Sequence, residues 1–171
     1  MEHLRTKIRH VPDFPKPGIL FYDITTLLRD AAGLRQTIDG LSEPFRDKQI
    51  DLVVGIESRG FILGCAIADR LGAGFVPARK PGKLPGNTIQ QSYQLEYGSD
   101  ALEIHEDGIE EGQRVLIVDD LLATGGTAKA TGSVVKKLQG EILSYAFLII
   151  LKGLKGDELL KPVPVFNILE Y

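Results

Sequence analysis

The sequence contains a single cysteine, Cys65, among its 171 residues. An intrachain disulfide is therefore excluded, and one cysteine with three scattered histidines does not supply the spacing of a metal-ligand set. The longest apolar run, from Tyr145 to Leu151, has seven residues, whereas a membrane span needs about twenty. The first ten residues are charged throughout, which argues against a secretory signal peptide. We therefore expect a cytoplasmic protein without a membrane partner.

Neither sign of charge dominates the chain. Lysine and arginine number 20 and aspartate and glutamate 23, so the net charge is −3 at pH 7. A dedicated nucleic-acid binder usually carries a strong basic surplus, and this balance argues against a nucleic-acid partner. It leaves open a local basic pocket for a phosphorylated small molecule. The length is that of one domain, and we expect a single domain over residues 1–171.

Short apolar runs alternate along the chain with segments of helical periodicity. The apolar runs predict strands at Leu52–Ile56, Phe75–Pro77, Arg114–Val118, Ile142–Leu151 and Val163–Leu169. Helical spacing predicts helices at Asp30–Arg46, Phe61–Leu71 and Thr127–Leu138, and polar–apolar alternation predicts a hairpin within residues 89–105. The order strand–helix–strand implies parallel pairing through right-handed crossovers. The sequence thus predicts an α/β fold with a single doubly wound, mainly parallel sheet, flanked by helices and interrupted by a hairpin insertion.

Three local predictions concern the N-terminus and single residues. Leu4, Ile8 and Val11 follow the spacing of one helix face, which predicts a short amphipathic helix there. Asp30 is a candidate N-cap for the helix that follows it. Cys65 lies among small residues in a predicted helix, and we interpret it as a small core residue rather than a nucleophile.

The strongest chemical signal is the stretch VLIVDDLLATGGT, residues 115–127. In it a buried strand ends in two adjacent carboxylates, Asp119 and Asp120, and a Thr-Gly-Gly-Thr run then leads into a helix. Glycines and small hydroxyl residues at a helix N-terminus let backbone N–H groups converge on an anion. Paired carboxylates suit vicinal sugar hydroxyls or Mg²⁺, so one loop can hold both ends of a ribose phosphate. The alternative is a surface turn in which Thr124 only caps the helix.

Two further polar segments follow predicted strands, where ligands of open α/β sheets bind. Arg59, in IESRGF, offers a planar fork for phosphate oxygens. The loop RKPGK places three cations, Arg79, Lys80 and Lys83, within five residues. A solvated helix start and a solvated charged loop are the alternatives. Neither a Walker A loop nor a Gly-x-Gly-x-x-Gly after a strand occurs, so kinase-like and dinucleotide-binding interpretations lose their main support.

Together these segments resemble a known family. The string VLIVDDLLATGGT resembles the phosphoribosyl-pyrophosphate signature of type I phosphoribosyltransferases, and within that family the chain is similar to the members that act on adenine. The other matching segments are DFPKPGILFYDIT, GIESRGF, RKPGKLPG, SYQLEYG, LEIHEDGI, LKG and PVPVFNILEY. The resemblance covers nearly the whole chain. It implies the family fold with a small hood, and a reaction of adenine with 5-phosphoribosyl 1-pyrophosphate that gives AMP and pyrophosphate through an oxocarbenium-like transition state.

The resemblance also implies which residues hold the ribose phosphate. Five consecutive residues would bind the 5-phosphate: Ala123, Thr124, Gly125, Gly126 and Thr127. Asp119 and Asp120 would face the ribose hydroxyls, directly or through Mg²⁺. The cofactor Mg²⁺ would be held mainly through the substrate, with these two aspartates as its candidate protein ligands.

The resemblance also implies which residues bind pyrophosphate, which bind the base and which form the hood. The residues implied to bind pyrophosphate are Glu57, Ser58, Arg59, Arg79, Lys80 and Lys83. The Glu57–Ser58 peptide is expected to be cis, and the basic residues are expected to reach pyrophosphate in the partner subunit of a homodimer. The adenine pocket consists of Leu20, Phe21 and Arg59, with a backbone contact and a stacking ring. Glu96 and Tyr97 belong to the hood, and the implied catalytic residues are Glu96, Arg59, Asp119 and Asp120.

Two positions depart from patterns found in the family. Relatives that act on 6-oxopurines carry an aspartate base inside the phosphate-binding loop, where this chain has Ala123, so Glu96 is the candidate for proton transfer. Some relatives carry arginine at the position of Tyr22, whose side chain does not supply that charge. One alternative function is a DNA-binding sensor of phosphoribosyl pyrophosphate, for which the chain has no residues left to build a winged helix. Another is transfer to hypoxanthine, guanine or xanthine, against which Ala123 argues.

Overall fold

Five parallel strands form the central sheet in the computed structural model, which describes residues 1–94 and 99–171. In chain order the strands are β1 (Arg9–Pro12), β2 (Leu20–Asp23), β3 (Leu52–Ile56), β4 (Gly74–Ala78), β5 (Thr88–Gln94), β6 (Ser99–His105), β7 (Arg114–Leu122), β8 (Glu141–Ile150) and β9 (Val165–Glu170). The helices are α1 (Thr25–Arg29), α2 (Ala31–Ser42), α3 (Arg59–Leu71) and α4 (Gly126–Lys137). Short 3₁₀ turns lie at Glu2–Lys7, Glu43–Phe45, Lys152–Leu154 and Glu158–Leu160.

The strand order of the central sheet is β4-β3-β7-β8-β9, and every neighbouring pair is parallel. The register places Val54 of β3 beside Ile117 of β7, and Ile117 beside Tyr145 of β8. From β3 the chain moves outward to β4, whereas from β7 it moves the other way to β8 and β9. The topological switch therefore lies between β3 and β7, which is where ligands bind in such sheets. The predicted doubly wound, mainly parallel sheet is confirmed.

Adjacent residues of the central strands enter two different apolar clusters, one on each face of the sheet. Val53 and Leu116 pack with residues of α2 and α3, whereas Val54 and Ile117 pack with residues of α4 and of the β5–β6 hairpin. All four side chains are fully buried. A strand covered on both faces needs apolar residues at consecutive positions, which explains the unbroken β-branched runs in the sequence.

The predicted N-terminal helix is wrong beyond its first turns. Residues Glu2–Lys7 form a 3₁₀ turn, and Val11 instead lies in β1, which pairs antiparallel with β2 opposite Phe21. Leu4 and Ile8 are buried as a helix face would be. The spacing was misleading because a short 3₁₀ turn followed by an extended strand can bury the same residues as a longer helix.

Helix α2 begins at the predicted cap, because the Asp30 carboxylate accepts a hydrogen bond from the Gly33 amide at 2.6 Å.

The prediction that Cys65 of helix α3 is a core residue is wrong. Cys65 is exposed on the outer face of this helix and is not a core residue, since the buried face consists of neighbours such as Leu63 and Ile67. Across the described ranges, none of the helices combines the length and apolar character that crossing a membrane requires.

Candidate active site

The carboxyl ends of β4, β3 and β7 lie side by side, since these strands are neighbours in the sheet. Glu57 and Ser58 follow β3, residues 79–83 (the basic loop) follow β4, and residues 123–127 (the phosphate loop) follow β7. Three polar segments that are far apart in sequence therefore meet at one edge of the sheet. The Glu57–Ser58 peptide is cis, as expected.

The paired carboxylates lie within β7 and not beyond its end. The strand continues to Leu122, because its pairing with β8 extends through Leu121 and Leu122. The Asp120 side chain is only 5% exposed. Asp119 is half-buried, and its Oδ1 accepts a hydrogen bond from the Asp120 amide at 2.8 Å. Burial and the neighbouring Asp120 charge raise the pKa of Asp119 well above its usual range.

Arg59 is the counter-ion of this acidic pair. Its Nε donates to Asp120 Oδ2 at 2.5 Å, and its side chain is 35% exposed. The contact is possible because the next residue, Gly60, lies close to β7: a Cβ there would lie 2.8 Å from the Val118 carbonyl oxygen. The Arg59 guanidinium carbon also lies 5.0 Å from the centre of the Phe21 ring. Arg59 thus joins the acidic pair to an aromatic face.

The phosphate loop turns directly into α4. Gly125, with a φ of 85°, is the N-cap residue of this helix in the left-handed conformation. A glycine cap has no side-chain oxygen to occupy the first helical amides, so these donors and the positive end of the helix dipole are presented at the loop. Thr127 Oγ1 donates to the Tyr93 hydroxyl of β5 at 3.3 Å.

The basic loop is held by one buried carboxylate. Glu57, with a side chain 10% exposed, accepts hydrogen bonds from Arg79 Nε at 3.2 Å and Lys83 Nζ at 2.6 Å. It also accepts one from the Lys80 amide at 3.0 Å. Burial by itself would raise the pKa of Glu57, but these hydrogen bonds outweigh it and lower the pKa to about 2. Lys80 Nζ pairs separately with Asp100 of β6 at 2.8 Å.

This carboxylate should make stability depend on pH in a defined direction. A folded-state pKa of about 2 against an ordinary 4.5 means that the stabilisation is full above about pH 5 and is lost as the pH falls towards 2. We expect Glu57→Gln to lower the unfolding free energy at pH 6 by about 1–2 kcal/mol, a value reduced because Arg79 and Lys83 are partly solvated.

Urea unfolding of the wild type and of Glu57→Gln between pH 6 and pH 3 measures this difference, which should shrink steadily with falling pH. The exposed Glu110 provides a control, because Glu110→Gln should give a small difference at every pH. A Glu57 difference that stays constant over this range would contradict the ion-pair account.

Three adjoining cavities surround these groups. A polar cavity of about 440 Å³ is lined by Glu57, Ser58, Arg59, Lys80, Tyr93, Asp100, Leu102, Asp119, Asp120, Leu121 and Thr127. A phosphate cleft of about 100 Å³ runs along Asp119, Leu121–Ala128 and Phe147. An apolar cavity of about 580 Å³ is lined by Gly18–Tyr22, Arg59, Leu121, Ala123, Leu151, Gly153, Leu154 and Tyr171. Leu121 lines all three, so the cavities adjoin one another at this residue.

The structure brings Leu20, Phe21 and Arg59 together in the apolar cavity. It adds Leu151, Leu154 and Tyr171. The resemblance includes C-terminal segments of the chain but assigned these three residues no role in the site. Tyr93 and Asp100 in the polar cavity were missed as well. A signal for them was available, since they lie on the two strands of the predicted hairpin and are directly paired across it. The hood residues Glu96 and Tyr97 lie outside the described residues.

The site can provide part of a coordination shell for Mg²⁺. Over residues 1–94 and 99–171, no group of three or more His, Cys, Asp or Glu side chains is arranged to hold an ion. Asp119 and Asp120 are adjacent, and Asp120 already bonds Arg59. Mg²⁺ commonly takes one or two carboxylates and completes its shell with substrate phosphates and water. The donor set therefore fits an ion that is carried mainly by a phosphorylated substrate.

Known proteins share both the sequence and the fold. The phosphoribosyl transferase domain family matches residues 23–167. The adenine phosphoribosyltransferase of Koribacter versatilis is 59% identical over 99% of this chain and 93% of its own. The adenine phosphoribosyltransferase structure from Rhodothermus marinus is 56% identical with a TM-score of 0.96, covering 99% of this chain and 97% of that one. The Saccharomyces cerevisiae enzyme, complexed with adenine and an imino-altritol bisphosphate, is 44% identical with a TM-score of 0.92, covering 97% and 96%. This chain therefore belongs to the type I phosphoribosyltransferase family, within the group of adenine phosphoribosyltransferases.

Proposed function

We propose that this chain, as a single domain over residues 1–171, transfers the phosphoribosyl group of 5-phosphoribosyl 1-pyrophosphate to adenine, giving AMP and pyrophosphate. The observation that carries this function is the meeting of an apolar cavity, a polar cavity and a phosphate cleft at Leu121. Together they match a flat base, a charged sugar pyrophosphate and a terminal phosphate. The Saccharomyces cerevisiae relative was solved with adenine in place, which supports the choice of base.

The phosphate loop binds the 5-phosphate in this proposal. Its residues Ala123, Thr124, Gly125, Gly126 and Thr127 all line the phosphate cleft. The uncapped amides at the start of α4 and the Thr124 hydroxyl are donors that suit a phosphate dianion. The Thr127 hydroxyl becomes a further donor when its 3.3 Å hydrogen bond to Tyr93 is released. The loop thereby fixes one end of the sugar, and the anomeric carbon is placed toward the polar cavity.

Asp119 and Asp120 bind the ribose hydroxyls at the boundary between cleft and polar cavity. Asp119 lines both cavities, whereas Asp120 lines the polar cavity and is held by Arg59. Mg²⁺ bound with the substrate would neutralise pyrophosphate charge, and the carboxylates of Asp119 and Asp120 would be its protein ligands.

The cations of the basic loop bind pyrophosphate. Lys80 lines the polar cavity of its own chain, while Arg79 and Lys83 remain partly exposed on the loop. A carboxylate does not bind an anion directly, so we assign Glu57 and its neighbour Ser58 the role of positioning these cations. The exposed cations also fit a homodimer in which the loop reaches the partner's pyrophosphate. We propose this dimer. We also propose a cytoplasmic location, because the chain has a single cysteine and therefore no intrachain disulfide.

The bond between the anomeric carbon and pyrophosphate breaks as a purine nitrogen attacks that carbon. Positive charge develops on the sugar and negative charge on the leaving group, so positioning and electrostatic stabilisation do most of the catalysis. Arg59 lies where the apolar and polar cavities join and can serve both base and pyrophosphate. Ala123 supplies no carboxylate inside the phosphate loop, so proton transfer is assigned to Glu96 of the hood.

Phe21 should affect adenine binding selectively. Its ring lines the apolar cavity, with Arg59 on its face and Phe14 edge-on at 5.1 Å between ring centres. We expect Phe21→Leu to raise KM for adenine roughly tenfold, because a stacked aromatic contact to a base contributes about 1–3 kcal/mol. KM for phosphoribosyl pyrophosphate should change by less than about threefold, since the phosphate loop is untouched.

Steady-state kinetics with each substrate varied in turn measures this selectivity. Phe14→Leu is the matched control, because this ring touches Phe21 but does not line the apolar cavity. It should leave both KM values near those of the wild type. Equal increases in both KM values for Phe21→Leu would show that the ring supports the site as a whole and does not stack on the base.

A panel of bases tests the proposed function. The protein, phosphoribosyl pyrophosphate and Mg²⁺ are mixed separately with adenine, hypoxanthine, guanine and xanthine, and nucleotide formation is followed. We expect AMP from adenine alone. Product from hypoxanthine but not from adenine would overturn the assigned base, and no product from any base despite binding of phosphoribosyl pyrophosphate would favour a sensor.

A further inference from the structure

A segment that is distant from the phosphate loop in sequence packs directly against the backbone of this loop. Residues 152–160 form most of the connection between β8 and β9, which spans residues 151–164, and they contain two short 3₁₀ turns. One end is tied to β7, because the Leu151 amide donates to the Leu122 carbonyl at 2.9 Å. The other end is anchored by Leu160, which is buried in the apolar cluster that also contains Val134 and Val135 of α4.

Between these anchors, the backbones of Gly156 and the phosphate loop are in direct contact. Gly156 is buried. A Cβ placed on it would overlap the Ala123 carbonyl oxygen and lie 2.9 Å from the Gly125 nitrogen. Reciprocally, a Cβ on Gly125 would lie 2.5 Å from the Gly156 carbonyl oxygen. Neither segment has room for a methyl group at these positions, so the close approach of the two backbones requires glycine at both.

We propose that Gly156 is a positioning residue for the 5-phosphate site, an inference that rests on the proposed function of the phosphate loop. The absence of a side chain at position 156 lets the 152–160 segment lie directly against residues 123–125. This contact holds the left-handed turn at Gly125, and with it the direction of the first amides of α4. Gly156 acts only through the loop and touches neither the base nor the pyrophosphate in this arrangement.

The effect of Gly156→Ala should be confined to the phosphate end of the substrate. Relieving the overlap requires the loop backbone to move by about 1 Å, and a displacement of that size commonly costs on the order of 10²-fold in rate. The three atoms nearest to the added methyl group belong to Ala123 and Gly125 of the phosphate loop, whereas the groups assigned to pyrophosphate lie on Glu57 and the basic loop. Ribose 5-phosphate and pyrophosphate with Mg²⁺ are therefore the two probes that separate this role from general damage.

Isothermal titration of wild type and Gly156→Ala with each probe tests the proposal. We expect the variant to bind ribose 5-phosphate at least tenfold more weakly and pyrophosphate within about threefold of the wild type. Glu158→Ala is the matched control, since this exposed side chain lies in the same segment and lines none of the three cavities of the site. It should bind ribose 5-phosphate like the wild type. Equal weakening of both probes, or unchanged ribose 5-phosphate binding, would overturn the proposal.

A second variant covers the case in which Gly156→Ala does not fold. Leu160→Val loosens the anchor of the segment without adding an atom near the loop, and the same preferential loss of ribose 5-phosphate affinity is expected, on a smaller scale. Equal affinity for ribose 5-phosphate in Leu160→Val and wild type would then count against the proposal. Failure of the proposed function shows differently: the wild type itself would form no AMP or bind no ribose 5-phosphate.

Discussion

Replacing Asp120 by asparagine is expected to lower kcat/KM for phosphoribosyl pyrophosphate by about 10²–10³-fold, the usual effect of removing one preorganised electrostatic contact. The side chain is 5% exposed and bonds Arg59 at 2.5 Å, so the substitution removes a sugar ligand and also releases the arginine. Arg59 is 35% exposed and keeps partial contact with water. The loss of unfolding free energy should therefore stay near about 1–2 kcal/mol, below that of a fully buried broken pair. AMP formation and urea unfolding measure the two effects.

A second arginine–aspartate pair provides the control for this substitution. Asp39 bonds Arg70 at 2.6 Å, but both side chains are more than 40% exposed and lie away from the site. Asp39→Asn should leave kcat/KM unchanged and lower stability by less than about 1 kcal/mol. Activity of Asp120→Asn close to the wild-type value would refute the assignment of Asp120 to the sugar.

Gly125→Ala is expected to lower kcat/KM for phosphoribosyl pyrophosphate by about 10²-fold or more, because it disturbs the phosphate loop in two ways. A φ of 85° is unfavourable for alanine, and the added methyl group would lie 2.5 Å from the Gly156 carbonyl oxygen. The strained conformation should also lower the unfolding free energy by about 1–3 kcal/mol. Ribose 5-phosphate binding should weaken in parallel with kcat/KM.

Gly72→Ala separates backbone strain from loss of the phosphate site. Gly72 has a φ of 67° after α3, and an added Cβ would have nothing within 4 Å. Its substitution should lower stability by about 1 kcal/mol and leave kinetics unchanged. If Gly125→Ala also retained wild-type kinetics while losing only stability, the loop would have a structural role and the 5-phosphate would have to bind elsewhere.

The sheet was predictable because the information for it is local. A strand buried on both faces must be apolar at consecutive positions, and the runs around Val53 and Leu116 have no other simple interpretation. Asp119 and Asp120 could be placed at the ligand-binding edge expected of such a sheet, since the strand ends of a parallel sheet meet at one edge. Their place inside β7 was missed because strand length depends on pairing with β8, which extends through Leu122.

Errors arose where the same local pattern fits two structures. Leu4, Ile8 and Val11 satisfy a helical period, but pairing of Val11 with Phe21 makes the second half a strand. Cys65 has small neighbours like a core residue, yet the rotation of α3 directs it outward. In both cases the choice depends on which surface the segment packs against, and that surface is contributed by residues far away in the chain.

By itself the sequence determined the parallel sheet, the order of its segments and the residue types at the strand ends, because periodicity and local turn chemistry encode them. Only the tertiary structure decided which of these groups are partners. It joined Glu57 to Arg79 and Lys83, separated from it by 22 and 26 residues, and it placed Gly156 against Gly125. Such contacts depend on how distant segments pack, and neither the spacing nor the composition of a single segment specifies them.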